Sequence, residues 1–380
     1  MNLIRFLILI CCLTLISSCT TKNIEKVAPL PKFQQTTNMK KVWSRRIGDG
    51  TNGLYLQLNP LYSSNKIFVA SHNGNLYSLN ALNGKVIWHQ RYKENFISGI
   101  SESQNLLFIS TQNGDFLAIN KQNGNLTWKI FLQDVILATA TVSTDGKIII
   151  THSINGNITA FATQDGHQLW QYNQAVSDFI LNKSSNVTIY KKYVICSFSD
   201  GRIAILKLAN GSLLWTRKIF YSIGSNQVAR MSDIAMQPLV SNDIIYIAGL
   251  NAKLTALNLI NAKILWQHDL SSYTKFSLQG NSLYASNING SVFAFNKNTG
   301  AILWKNKQLQ NRGVAAPIII NKKLLAVTDY KSYVYLLHTL DGSFASFHKL
   351  NLSSILSPVI THNNIIYIYT MSGRLYAYHI

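Results

Sequence analysis

Between Lys66 and Gln90 apolar and polar positions alternate with a period of two, interrupted twice by short polar turns. The runs Lys66-Ile67-Phe68-Val69-Ala70-Ser71 and Asn75-Leu76-Tyr77-Ser78-Leu79-Asn80 flank His72-Asn73-Gly74. Asn-Gly accepts the positive φ of a tight hairpin turn, and the flanking alternation reads as half-buried strands. A second turn, Ala81-Leu82-Asn83-Gly84, leads into Lys85-Val86-Ile87-Trp88-His89-Gln90. The pattern predicts three antiparallel strands joined by two turns.

The same arrangement recurs along the chain. Gly74, Gly84 and Trp88 are followed at the same spacing by Gly114, Gly124 and Trp128, by Gly156, Gly166 and Trp170, and by Gly201, Gly211 and Trp215. Ala252, Ala262 and Trp266 keep the spacing without glycine, and Gly290, Gly300 and Trp304 restore it. Ser332 and Gly342 continue with Ser346 in the tryptophan position, and Gly373 opens a copy that ends at Ile380. A further apolar run ahead of each copy, such as Ile234 to Val240 before Ile244 to Ala248, supplies a fourth strand. Four short antiparallel strands in a unit of roughly 42 residues make one propeller blade. The last copy lacks its tryptophan strand, while Val42-Trp43-Ser44 is a tryptophan strand with no copy before it. Joining the two completes an eighth blade and hides the sheet edges. The expected fold is all-β: one eight-bladed β-propeller over residues 42–380, its four-stranded antiparallel blades closed by the N-terminal strand.

The first residues follow a different pattern. Arg5 precedes an apolar run from Phe6 to Ile16, too short for a bilayer core of about 30 Å but of the length of a signal-peptide core. Ile16-Ser17-Ser18-Cys19 resembles the bacterial lipobox, which implies cleavage after residue 18 and lipidation of Cys19. Thr20 at the next position implies, in such lipoproteins, delivery to the outer membrane. Residues 19–41 are polar, aperiodic and interrupted by Pro29 and Pro31, and read as the lipidated cysteine and a tether.

Composition narrows the chemistry. Apolar residues at 47% provide a large core, and 4 Cys in 380 residues exclude a disulfide scaffold. Loss of the signal removes Cys11 and Cys12, leaving Cys196 in a strand-like run as a small core residue. No HExxH, CxxC, GxSxG or phosphate-loop glycine pattern occurs, so no catalytic residue, metal ligand or cofactor site is assigned. One tryptophan per copy is the mark of blade packing rather than of ligand stacking. The charge of +20 is carried by single or paired Lys and Arg. Without a dense basic tract it points away from nucleic acid and toward an anionic lipid surface or an acidic partner.

The Gly-x9-Gly-x3-Trp repeat resembles the quinoprotein-type (PQQ-like) propeller repeat. With the lipobox, Pro29-Leu30-Pro31 and eight copies, the whole chain looks like the BamB family of lipoproteins from the outer-membrane β-barrel assembly machinery. That resemblance implies an outer-membrane, lipid-anchored, periplasm-facing scaffold that is not an enzyme. It would bind the periplasmic POTRA domains of BamA, sit with the other assembly-complex lipoproteins and assist unfolded outer-membrane protein clients. Arg230-Met231-Ser232-Asp233-Ile234-Ala235-Met236-Gln237-Pro238 matches a family segment, in the widest spacing between tryptophans, 51 positions from Trp215 to Trp266. Carried over, Arg230 and Asp233 make charged contacts with BamA, and Phe179 and Leu181 are apolar anchors. Ala235 replaces a second Asp of the family pattern and Asn182 stands where its Arg would align, which weakens the expected contact. Two other readings stay open: a propeller that binds lipopolysaccharide or cell-wall glycan, favoured by the basic charge, and a quinone-dependent dehydrogenase. The dehydrogenases resembled here bind calcium with the quinone, often beneath a vicinal disulfide. The mature chain has no vicinal cysteines, and the whole chain carries only 15 carboxylate side chains.

Overall fold

The computed structural model describes residues 26–174, 185–220, 236–350, 355 and 359–380. Within them the alternating runs form thirty-two strands in eight four-stranded antiparallel sheets. Blade 1 shows the plan. β2 (Leu61–Ser63), β3 (Lys66–Ala70), β4 (Asn75–Asn80) and β5 (Val86–Arg91) pair in sequence order. Blades 2 to 7 repeat it over residues 101–131, 141–173, 188–218, 239–268, 277–306 and 318–349. The first strand of each blade is only two or three residues long and touches its counterparts in the neighbouring blades, so these strands form the hub. In blade 5 it covers Leu239–Ser241, shorter than the apolar run that announces it.

Antiparallel pairing sorts the turns onto two faces. Turns of the Gly74 type, between second and third strands, share the upper face with the connections that lead to the next blade. Turns of the Gly84 type lie on the lower face. The positive φ expected at these glycines is present, +84° at Gly74 and +67° at Gly84. Where glycine is missing, another residue takes the left-handed conformation: Asn251 in place of Ala252, and Ala262 and Ser332 themselves. The core lies between sheets. One apolar cluster joins Ile205 of blade 4, Tyr246 and Leu257 of blade 5, and Leu283 and Phe295 of blade 6.

Closure follows the sequence reading. β1 (Lys40–Arg46) pairs antiparallel with β32 (Arg374–His379), from Lys40 opposite His379 to Arg46 opposite Arg374, and completes blade 8. The segment ahead of β1 behaves differently from a free tether. Leu30 and Phe33 pack into the apolar cluster of blades 6 and 7, so from Lys26 onward the chain is part of the folded body. Its one aromatic residue supplies the burial that its polar composition hides.

Candidate interaction surfaces

The repeated tryptophans form a lock between blades. Each indole Nε1–H donates to a carbonyl in the lower turn of the next blade: Trp43 to Ala81, Trp88 to Lys121, Trp128 to Thr163, Trp170 to Leu208, Trp215 to Leu259, Trp266 to Lys297 and Trp304 to Thr339. The glycine of that turn lies against the ring, and a Cβ added at Gly84 would sit 2.6 Å from Trp43. The ten-residue spacing and the tryptophan are therefore one device. It also accounts for Ser346. Blade 7 faces the blade in which the third and fourth strands, β32 and β1, are joined by no turn, so no turn glycine is there for an indole to cover. Ser346 is buried opposite Leu336, and its hydroxyl has no hydrogen-bond partner.

The residues assigned to partner binding, Phe179, Leu181, Arg230 and Asp233, lie outside the described residues, as does Cys19. The described residues that border those segments, Ser185 and Met236, line a cavity of about 300 Å³. Its lining residues come from all eight interblade connections, which places it on the ring axis at the upper face. Lys275 is among them, half-buried, and burial lowers the pKa of its ammonium group from the ordinary lysine value. Ser185 also accepts a hydrogen bond from buried His152 Nδ1 at 2.8 Å, and burial brings that imidazole down to about 4, so it is neutral at pH 7.

The outer rim carries a second repeated feature. In blade 1, Ser78 pairs with Trp88 and Leu79 with Val86, which leaves Ile87 bulged out of the ladder. Val86 and Ile87 are 41% and 45% exposed. The equivalent pairs Leu213 and Leu214 in blade 4 and Ile302 and Leu303 in blade 6 are also exposed. A bulge re-aims the chain and frees a main-chain group on the sheet edge. At blade 7 the corresponding Phe344 and Ala345 are buried, because the N-terminal segment covers them. Phe33 stacks on Phe344 with centroids 5.5 Å apart and meets Phe347 edge-on at 5.9 Å, while Thr36 N–H donates to the bulged Ala345 carbonyl at 2.9 Å.

The other end of this strap is held by a buried ion pair. Arg312, 4% exposed, donates from Nε to Asp329 Oδ2 at 2.8 Å, and Asp329 is fully buried. Its Nη1 donates to the Ala28 carbonyl at 2.7 Å, Ala28 N–H donates to the Gln310 carbonyl, and Asn311 donates to the Lys26 carbonyl. Tyr335 O–H also donates to Asp329 Oδ2. Asp329 thus has the partners a buried carboxylate requires. Sequence reasoning missed Phe33, Arg312 and Asp329. The available signal was a lone aromatic residue in an otherwise polar tether.

Among the described residues no three His, Cys, Asp or Glu side chains are grouped to hold a metal ion. Burial raises the pKa of the Cys196 thiol, so at neutral pH it carries no thiolate.

Residues 35–145 and 73–306 match the family described as outer membrane protein assembly factor BamB. A relative of that name from Vibrio cholerae is 31% identical over 96% of this chain and 95% of its own. Among solved structures, BamB from Moraxella catarrhalis covers 90% of this chain and all of its own at a TM-score of 0.80 and 24% identity, a likeness of fold. The quinohemoprotein alcohol dehydrogenase of Comamonas testosteroni covers 90% of this chain and 76% of its own at a TM-score of 0.70 and 9% identity, again a likeness of fold alone.

Proposed function

The chain belongs to the BamB family of outer membrane protein assembly factors, and from that membership we propose that it is a non-catalytic scaffold, anchored through lipid on Cys19 and facing the periplasm, that docks on the POTRA domains of BamA and offers its outer strand edges to unfolded outer-membrane protein chains. The observation that carries the reading is the occupied edge of blade 7. There the protein's own extended segment places an aromatic side chain over the bulge and hydrogen-bonds the bulge carbonyl. The exposed pairs Val86 and Ile87, Leu213 and Leu214, and Ile302 and Leu303 present the same feature, uncovered among the described residues. Main-chain pairing with an apolar pocket beside it tolerates varied sequences, which suits a protein that handles many clients.

Arg230, Asp233, Phe179 and Leu181 are assigned to the BamA contact. In support, the segments that hold them join one blade to the next, and the described residues bordering them converge on the upper-face axis. Truncating one partner of a charge pair at such a contact costs about 2–5 kcal/mol. The test is co-purification of the tagged lipoprotein with BamA from detergent-solubilised envelopes. Arg230→Glu with Asp233→Lys is expected to abolish recovery of BamA while leaving the propeller folded by circular dichroism. Undiminished recovery would remove these residues from the interface.

A further inference from the structure

The strap and the charge distribution together orient the molecule. Residues 269–350, the connection into blade 6 together with blades 6 and 7, contain nine Lys and Arg against three carboxylates, Asp269, which pairs with Lys253, Asp329 and Asp341. Asp329 is consumed by Arg312 inside the fold, and Asp341 sits in the lower turn of blade 7 beside Gly342. The upper face of these blades is therefore left with cations and no free carboxylate. Lys305 and Lys349 lie near the upper ends of their strands, opposite Phe293 and Tyr333, Lys307 follows the first of these strands, and Lys331 is in the upper turn. All four are exposed, and none forms an ion pair among the described residues. Across the ring the balance reverses: residues 92–166, in blades 2 and 3, hold six carboxylates and four Lys.

The chain emerges on the cationic side. The Lys26 carbonyl is bound by Asn311 at the upper connection between blades 6 and 7. Seven residue steps separate Lys26 from Cys19, a reach of at most about 25 Å when fully extended. We propose that the upper face of blades 6 and 7, bearing Lys305, Lys307, Lys331 and Lys349, lies against an anionic lipid surface, with the strap setting which rim of the disc the membrane anchor pulls inward. This rests on the lipid-anchor reading of Cys19. A basic patch near a lipid-anchored chain is attracted by anionic headgroups within a Debye length, about 8 Å at physiological ionic strength. The lipid anchor holds the chain at the membrane without fixing its orientation, and the basic patch supplies the second contact that does.

The test uses full-length lipoprotein in vesicles of phosphatidylethanolamine with a minority of phosphatidylglycerol. Native Cys196 is buried, so a fluorophore can be carried on one introduced thiol at a time. Gln308→Cys reports the proposed face, Leu340→Cys the lower face of blade 7, and Gln112→Cys the upper face of blade 2. Headgroup-bound quencher is expected to dim the Gln308→Cys label several-fold more than the other two. The contrast should shrink in high salt, in purely zwitterionic vesicles, and when the four lysines are changed together to Gln. Phe33→Ser, which alters only the strap, should also reduce it. Equal quenching at all three positions, or a contrast unchanged by lipid charge and by loss of the lysines, overturns the proposal. Mass spectrometry of the N-terminal peptide separates the two readings. An unmodified Cys19 refutes the anchor, and the same quenching then judges the face: lysine-dependent dimming at Gln308→Cys retains it, and no binding to anionic vesicles removes it.

Discussion

At Gly124 the backbone has φ of +75°, and an added methyl would lie 2.7 Å from the Trp88 ring and 2.6 Å from Gln90 Cγ. Gly124→Ala combines left-handed strain of about 1–2 kcal/mol with overpacking of about 1–3 kcal/mol, less the smaller gain from a stiffer unfolded chain. A loss of about 2–3 kcal/mol should appear in the urea midpoint. Blade 5 carries that methyl naturally, with Ala262 at φ of +57°. Relief of the strain exceeds the entropy cost of about 0.4–1 kcal/mol, so Ala262→Gly should stabilise by about 0.5–1 kcal/mol. A destabilised variant would show that packing of the methyl outweighs its backbone strain. His152 gives a pH dependence of definite sign. It accepts a proton at 6.5 in the unfolded chain and at about 4 in the folded one. Protons therefore favour unfolding: the stability is whole above pH 6.5 and is lost as the pH falls toward 4, with about 2 kcal/mol gone at pH 5. His152→Gln should remove that component when urea midpoints at pH 7.5 and pH 5 are compared with wild type.

The recurring element is a blade whose tryptophan secures the next blade's lower turn, and the exception shows the rule. Ser346 stands where the following blade has no such turn. Ser346→Trp would force an indole into a buried site opposite Leu336 with no turn glycine for the ring to cover. A loss of about 1–3 kcal/mol from overpacking is expected, whereas a gain would contradict the lock. The closing strand is the second critical element. Deleting residues 26–46 removes the strap and β1 and leaves β32 as an open edge. Such an edge pairs with other chains, so sedimentation should show oligomers in place of a monomer. A monomer with an intact melting transition would mean that seven complete blades suffice to protect the ring.

At the scale of the whole molecule, two asymmetries sit on a near-symmetric ring. One is mechanical: the strap ties the N-terminal chain to blades 6 and 7 through Phe33 and the Arg312–Asp329 pair. The other is electrostatic: carboxylates gather around blades 2 and 3, and exposed lysines around blades 6 and 7. Both point one rim toward the anchor. An orientation set by exposed charges should fade between about 0.1 M and 1 M salt as the screening length falls from about 10 Å to 3 Å, while the buried ion pair and the strap persist. Quenching contrast measured across that range separates the two contributions.

How much of this was legible in the chain depends on the range of each interaction. Blade number, the two turns of each blade, and closure of Val42-Trp43-Ser44 onto the last copy were readable because they rest on local alternation and on a spacing repeated along the chain. The tryptophans could be assigned to packing, but their true partner, a carbonyl 31 to 44 residues onward, is set by how one blade stacks on the next. Nothing near Phe33 in sequence announces Phe344 and Ala345, which are brought to it only when the ring closes. Arg312 and Asp329 likewise read as two separate surface charges until the connection and the upper turn meet around Ala28. The sequence by itself determined the fold, since period and turn chemistry act locally; only the tertiary structure decided where the N-terminal chain lies and which rim carries unpaired charge, because both depend on groups that closure of the ring brings together.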